Sequence, residues 1–135
     1  MTTDPHEQLV RDLFAAMGPT LEGFKDNFRR RLDENVTWES VGLPAHHGRQ
    51  ACIDYLDTLK ATTGMEYCTI KILHIAVVGN VVLSERVDTM YDAAGTEIRE
   101  FRLMGAIEIS DGHIVRYTDY FDTAPLRATD PFAIA

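Results

Sequence analysis

Basic residues are scarce in this sequence. Its 135 residues include 13 Lys and Arg against 21 Asp and Glu, which gives a formal net charge of −8. A protein that binds nucleic acid or an anionic membrane needs patches of Lys and Arg to neutralise phosphates. The charge balance therefore argues against both partners. Most of the acidic side chains must lie on the solvated surface. The carboxylates that are informative about function are the few that are buried.

Long apolar runs are also missing. No stretch approaches the roughly 18 apolar residues of a membrane-spanning helix, and Met1–Pro5 lacks the basic and apolar regions of a signal peptide. We therefore expect a cytoplasmic protein with no membrane partner. Hydrophobic residues still make up 45% of the chain, which is enough for a packed core. The length predicts a single domain over residues 1–135.

Cysteine is rare and unpatterned. Cys52 and Cys68 lack the close spacing of a disulfide framework or a zinc site, and we expect both to be reduced thiols. The adjacent His46 and His47 would point apart in an extended segment, and no third ligand stands at a recognisable spacing. We expect them to lie in a loop, either exposed or over the mouth of a pocket. No metal or other cofactor is predicted.

Helical patterns occupy the first half of the chain. Asp4-Pro5-His6-Glu7 has the features of a helix start, and Gly64 is expected to end the third helix. The predicted helices begin at Pro5, at Leu21 and at Arg49, and the third ends near Thr62.

Strand patterns occupy the second half. Runs rich in Val, Ile and Tyr alternate with the hairpin sequences Gly79-Asn80, Ala93-Ala94-Gly95 and Asp111-Gly112. The predicted strands here are Glu66–Val77, Val81–Tyr91, Ile98–Ile109 and His113–Phe121. A further short strand, Val36–Val41, is predicted between the second and third helices. Helices followed by a four-stranded antiparallel meander predict an α+β fold rather than a parallel α/β sheet.

The last strand places a carboxylate among apolar residues. Val115, Tyr117, Asp119 and Phe121 share one face, because side chains two apart in a strand point the same way. This face is the more apolar one, and we expect it to meet the helices, with Ile114 on the opposite face. An isolated buried carboxylate is costly unless it is paired or protonated. Asp119 is therefore a residue that needs an explanation.

The strand Val81–Tyr91 places a guanidinium beside a carboxylate. Arg86 and Asp88 share a face, and the alternation does not decide whether that face is buried. An exposed pair would be a surface ion pair, which contributes little. In a pocket, two carboxylates linked by one Arg form a general acid/base set, because their protonation states can be driven apart.

Two segments carry these charged residues: Ser84-Glu85-Arg86-Val87-Asp88 and Tyr117-Thr118-Asp119-Tyr120-Phe121-Asp122. Together they resemble the paired signatures of the limonene-1,2-epoxide hydrolases, a family with the NTF2-like (SnoaL-like) cone fold. The resemblance extends from Val36 to Asp122, and it includes Leu43-Pro44, Gly48-Arg49 and Met104-Gly105.

The resemblance implies a curved, mainly antiparallel mixed sheet with the N-terminal helices packed on it, an apolar pocket and a homodimer. It implies an epoxide hydrolase that adds water to a small or medium apolar epoxide in one step, without a covalent ester or a metal. Asp119 would be the base that deprotonates water, and Asp88 the acid that protonates the epoxide oxygen. Arg86 would orient both.

The chain departs from this family at two positions. The family positions its water with a Tyr and an Asn two residues apart, where this chain has Trp38 and Ser40. We expect these residues to position water or to line the pocket, although the Trp indole can only donate. The candidate apolar pocket residues are Met90, Leu103, Met104, Tyr117 and Phe121.

This departure leaves other functions open. An epoxide-opening cyclase would use the same acid/base set with a substrate hydroxyl in place of water. A ketosteroid-isomerase-like enzyme of the same fold is a further alternative. A ligand-binding or dimerisation module is the non-enzymatic one, since a fold does not dictate a function.

Overall fold

The structure, a computed structural model, describes residues 3–126. Its helices are α1 (Pro5–Ala15), α2 (Leu21–Arg31) and α3 (Arg49–Thr63), with a 3₁₀ turn at Ala124–Leu126. Its strands are β1 (Leu32–Ser40), β2 (His46–His47), β3 (Met65–Val78), β4 (Val81–Asp92), β5 (Glu97–Ser110) and β6 (His113–Tyr120). The predicted single domain includes residues 1, 2 and 127–135, which lie outside the described part, and it stays a prediction.

Local sequence sets the ends of the helices. Asp4 accepts hydrogen bonds from two backbone N–H groups of the first turn, which confirms the predicted start of α1. Thr20 caps α2 by accepting from the Gly23 N–H at 3.0 Å. Gly64 ends α3 with a φ of 84°, a left-handed conformation that glycine adopts without steric cost.

The strands form one curved, unclosed mixed sheet in the order β2-β1-β6-β5-β4-β3. β3 to β6 form the predicted antiparallel meander, and β1 joins it by pairing in parallel with β6. The predicted α+β class is confirmed. Two details differ: β1 begins at Leu32 rather than Val36, and the predicted loop at His46–His47 is a short strand paired with β1. Two residues are too few to show a strand periodicity.

The helices pack on one face of the sheet, and the core lies between the two layers. Buried apolar side chains come from both layers. They include Val10, Leu13, Phe14, Phe24, Phe28, Leu56, Val82, Ile107 and Ile114. Cys52 is buried, Cys68 is half-buried, and both are free thiols, as predicted. No helix within residues 3–126 is long and apolar enough to cross a membrane.

A bulge in β6 corrects the predicted faces of this strand. Ile114 is fully buried and Val115 only half-buried, the reverse of the expectation. Arg116 and Ile114 pair with consecutive residues of β5, so Val115 is an extra residue that shifts the alternation. Beyond the bulge, Tyr117 and Asp119 are buried as predicted.

Candidate active site

The charged face of β4 points toward the helices. Ser84 and Arg86 are buried and Asp88 is half-buried, whereas Leu83 on the opposite face is exposed. This burial pattern decides the orientation that the sequence left open. The Arg86 side chain is 0% exposed, and its guanidinium lies 4.4 Å from the centre of the Phe14 ring of α1. A helix therefore covers one side of the guanidinium plane.

Arg86 joins the two carboxylates that the sequence singles out. Its Nε and Nη2 donate to the two oxygens of Asp88 at 3.2 and 2.9 Å, and Nη2 also donates to Asp119 Oδ2 at 3.1 Å. Nη1 donates to the Ser84 hydroxyl at 3.3 Å. A buried guanidinium is costly unless its charge is compensated, and the carboxylates supply that compensation. The structure thus brings the three predicted catalytic residues together.

Asp119 is the more buried of the two carboxylates. Its side chain is 9% exposed, against 16% for Asp88. Burial raises the pKa of Asp119 from 3.8 to about 6, because the loss of hydration outweighs the charge and hydrogen bond of Arg86. The charge of Asp88 raises this pKa further. A carboxylate with such a pKa is a suitable general base near neutral pH.

One oxygen of Asp119 lacks a directed hydrogen bond. Arg86 Nη1 lies 3.1 Å from Oδ1 and forms an ion pair with it, but without the alignment of a hydrogen bond. Among the described residues, this buried oxygen has no hydrogen-bond partner. Buried polar atoms are nearly always paired. Oδ1 is therefore held by the charge of Arg86 rather than by a directed hydrogen bond.

Gly105 on β5 makes room for this arrangement. It pairs with Ser84 of β4 and with Asp119 of β6. A Cβ at this position would lie 2.6 Å from both Arg86 Nη1 and Asp119 Oδ1, so any side chain would push one of them away. Our sequence reasoning assigned no role to Gly105. The available signal was a glycine inside a strand, which marks a close approach of other groups.

The acid/base set opens into apolar space. An inner cavity of about 110 Å³ is lined by both Asp88 and Asp119, together with mainly apolar side chains. An outer cavity of about 420 Å³ shares several of its lining residues and so adjoins it. A largely apolar pocket with a few polar groups is typical of a small-molecule site.

Four of the five predicted pocket residues line the inner cavity: Met90, Leu103, Tyr117 and Phe121. Met104 does not, and that prediction is wrong. It is 52% exposed and pairs with Tyr120 on the outer face of the sheet. Because adjacent strand residues point to opposite faces, Leu103 and Met104 cannot both face the pocket.

Trp38 and Ser40 lie on β1 beside the acid/base set, and both line the two cavities. In the parallel pairing with β6, Trp38 lies opposite Tyr117 and Ser40 opposite Asp119. The Trp38 ring packs edge-on against Phe28, with 5.2 Å between centroids. Its buried Nε1–H has no hydrogen-bond partner among residues 3–126. Trp38 is thus both a packing residue and an unused donor.

One histidine of the adjacent pair, His46, borders the pocket, and His47 points elsewhere. His46 stacks on Tyr55 with 4.0 Å between ring centroids, and it shares a small cavity with Trp38. Burial lowers the pKa of His46, so its ring is neutral at pH 7. His47 instead contacts the Thr37 hydroxyl. Within the described part of the chain, no group of His, Cys, Asp or Glu could hold a metal ion.

Comparison with known proteins identifies relatives of this chain. The profile of the limonene-1,2-epoxide hydrolase catalytic domain matches residues 6–129. Epoxide hydrolase EphG of Mycobacterium tuberculosis is 30% identical over 97 residues. This match covers 72% of the present chain and 62% of the relative, so the chain spans less than two thirds of that protein's length.

Solved structures share the fold. An epoxide hydrolase of M. tuberculosis, described as similar to the limonene-1,2-epoxide hydrolases, has a TM-score of 0.72 at 24% identity over 88% of this chain and 79% of its own. A protein from Jannaschia sp. CCS1, described as a SnoaL-like polyketide cyclase, has a TM-score of 0.73 at 14% identity over 93% and 94% of the two chains. At these identities the likeness shows the fold alone, and it confirms the predicted NTF2-like cone.

Proposed function

This chain belongs to the limonene-1,2-epoxide hydrolase family, and we propose that it hydrolyses a small or medium apolar epoxide to a vicinal diol. One observation carries the proposal: Arg86 contacts Asp88 and Asp119 at the same time, beside an apolar cavity. Such a cavity suits an apolar substrate. It also leaves water few binding positions other than the acid/base set.

In the proposed reaction, a water oxygen attacks one epoxide carbon while Asp119 accepts a proton from that water. The bond between this carbon and the epoxide oxygen breaks, and Asp88 donates a proton to that oxygen. Water and epoxide become a diol without an ester to the protein. One proton has then moved from Asp88 to Asp119, and its return to Asp88 completes the cycle.

The environments of the two carboxylates support these roles. With a pKa of about 6, Asp119 is ionised at neutral pH yet basic enough to take a proton, and it lines the inner cavity. Asp88 shares Arg86 with the base and lines the same cavity, which supports its role toward the epoxide oxygen.

Product analysis tests this proposal. The purified protein should convert at least one epoxide into a diol, in a panel of apolar epoxides that includes limonene-1,2-epoxide. Asp119→Asn keeps the size of the side chain but removes the base, so it should lower the rate of conversion by about 10²-fold to 10⁴-fold. Glu66→Gln changes a carboxylate outside the cavities and serves as the matched control. A wild-type protein that forms no diol from any of these epoxides would overturn the proposal.

Trp38 and Ser40 favour a second function. The family holds its water with a Tyr and an Asn at these positions, and a weaker hold on water favours attack by a hydroxyl of the substrate itself. The protein would then be an epoxide-opening cyclase, with Asp119 taking the proton of that hydroxyl. A hydroxy-epoxide incubated in ¹⁸O water separates the two functions. The diol gains one labelled oxygen, whereas a ring ether gains none.

We also propose that the protein is a homodimer through the outer face of its sheet. Leu83, Met104 and Tyr120 are exposed there on three neighbouring strands. A second copy would cover this apolar surface. Light scattering should give twice the mass of the chain, and Met104→Lys with Tyr120→Lys should give a monomer. A monomeric wild-type protein would contradict the proposal.

The cysteines support a cytoplasmic location, which we propose as the site of action. Cys52 and Cys68 are both free, and free thiols persist in a reducing compartment. Cell fractionation followed by immunodetection should find the protein with cytoplasmic markers. Its recovery in an extracellular or membrane fraction would contradict this location.

A further inference from the structure

We propose that the Tyr117 hydroxyl is a further catalytic group, which holds the attacking oxygen against Asp119. The inference rests on the proposed function and adds a residue to its site. Tyr117 was expected to be an apolar lining residue. We infer a role beyond packing from three features: its place in the sheet, its burial and its hydroxyl.

Tyr117 stands beside the base. It lies two residues before Asp119 on the same face of β6, and both line the inner cavity. Tyr117 is only 3% exposed, yet its hydroxyl forms no hydrogen bond with any described residue. A buried tyrosine hydroxyl usually finds a partner. A partner from the cavity contents, water or substrate, would satisfy it.

The charges around Tyr117 place its phenol within electrostatic reach of the acid/base set. Burial raises the pKa of Tyr117 well above its usual range, and the charge of Asp119 raises it further. Arg86 acts in the opposite direction and Asp88 more weakly in the same one. The phenol therefore keeps its proton at neutral pH. Among the charged neighbours, Asp119 has the largest effect on this pKa.

Three polar residues line the inner cavity, and their chemistry is complementary. The Trp38 indole can only donate, the ionised Asp119 can only accept, and the Tyr117 hydroxyl can do both. A water in this cavity would donate one hydrogen to the Asp119 carboxylate and the other to Tyr117 Oη, which leaves a lone pair of its oxygen for the epoxide carbon.

This arrangement accounts for the departure at Trp38. The family resemblance implies a phenol at the position of Trp38 on β1. Here the phenol comes from Tyr117, the residue directly opposite Trp38 on the neighbouring strand β6. The two rings lie 5.7 Å apart. The site therefore retains a hydroxyl that can both donate and accept, supplied from a different strand.

Tyr117→Phe tests the inference, because it removes the hydroxyl and keeps the ring. We expect kcat for diol formation to fall about tenfold or more, the effect of losing one hydrogen bond to a reacting group, while KM stays within about twofold. A merely structural role would lower the melting temperature and would not act on kcat alone. Tyr91→Phe removes a hydroxyl from a half-buried ring stacked on Tyr67, and it serves as the matched control.

A second variant keeps the hydroxyl. Replacing Tyr117 by 3-fluorotyrosine weakens the phenol oxygen as an acceptor, so kcat should lie between the values of the wild type and Tyr117→Phe. If the wild type forms diol and Tyr117→Phe matches its kcat, the inference fails and the proposed function stands. If the wild type forms no diol, both fail.

Discussion

Two carboxylates of this protein each contact a cation, yet their pKa values shift in opposite directions. Glu66 at the start of β3 lies 2.8 Å from Lys60 at the end of α3, and the hydrogen bond from Lys60 lowers the pKa of Glu66. Asp119 contacts Arg86, and its pKa is nevertheless raised to about 6. The difference is burial: water still reaches Glu66, whereas the loss of hydration dominates at Asp119. A neighbouring cation alone therefore does not tell a catalytic carboxylate from a structural one.

The largest difference between the two carboxylates is expected in the rate of epoxide hydrolysis. Asp119→Asn and Asp88→Asn should each lower kcat/KM for epoxide hydrolysis by about 10²-fold to 10⁴-fold, because each removes one general acid or base. Glu66→Gln should leave kcat/KM unchanged within about twofold, since Glu66 lines neither cavity. Steady-state kinetics of the three variants checks this. Equal losses at Glu66 and Asp119 would break the comparison.

Removing Arg86 should destabilise the protein more than removing Lys60. Arg86→Ala leaves two buried carboxylates without their partner and should cost about 3–5 kcal/mol of unfolding free energy at pH 8. Lys60→Ala removes a part-exposed pair and should cost at most about 1 kcal/mol. Urea unfolding measures both. The Arg86→Ala cost should shrink at pH 5, where the carboxylates can take up protons, and an equal cost at both pH values would argue against buried ionised groups.

Gly105→Ala should damage the site without touching its charges. The added Cβ would collide with Arg86 Nη1 and Asp119 Oδ1, so one of them must move. A displacement of about 1 Å at a catalytic group costs about 10²-fold in rate. We therefore expect kcat/KM to fall by about that factor. Gly23→Ala is the control for glycine substitution, because Gly23 lies in α2 without a positive φ and lines neither cavity. Full activity in Gly105→Ala would show that the close contact is not needed.

The smallest expected effect is on pH dependence. The Asp119 base must be ionised, so kcat/KM should rise with pH and reach half its maximum near pH 6. The stability contributed by Asp119 should depend on pH in the opposite direction, because the folded state holds the Asp119 proton more tightly than the unfolded state. The free energy of unfolding contributed by Asp119 should therefore fall as pH rises from about 4 to 6. Glu66, whose pKa is lowered, should contribute stability that is lost as pH falls. A kcat/KM that stays flat between pH 5 and 8 would contradict the assignment of Asp119.

Local sequence predicted the elements well because their signals are local. The Asp4 cap, the Gly64 end of α3 and the hairpin turns depend on a few adjacent residues. Alternation also predicted that Arg86 and Asp88 share a face. It could not say which face was inside, since that depends on where the helices pack.

The parts of the site that the sequence did not predict depend on contacts between strands. The bulge at Val115 shifts the alternation, and only the pairing with β5 reveals it. The role of Gly105 requires knowing that side chains from β4 and β6 meet over β5. The resemblance to the family predicted that Asp88 and Asp119 belong to one site. In the structure, the register of the three antiparallel strands β4, β5 and β6 brings them together.

In the proposed mechanism, water bound by Asp119 attacks the epoxide carbon without a covalent intermediate. A single turnover in ¹⁸O water, with enzyme in excess over the epoxide, tests this step. We expect the first diol formed to carry one ¹⁸O and the protein to gain none, and the Asp119→Asn protein to form diol about 10²-fold to 10⁴-fold more slowly. An unlabelled first diol would mean that a protein carboxylate supplied the oxygen, and it would contradict the account.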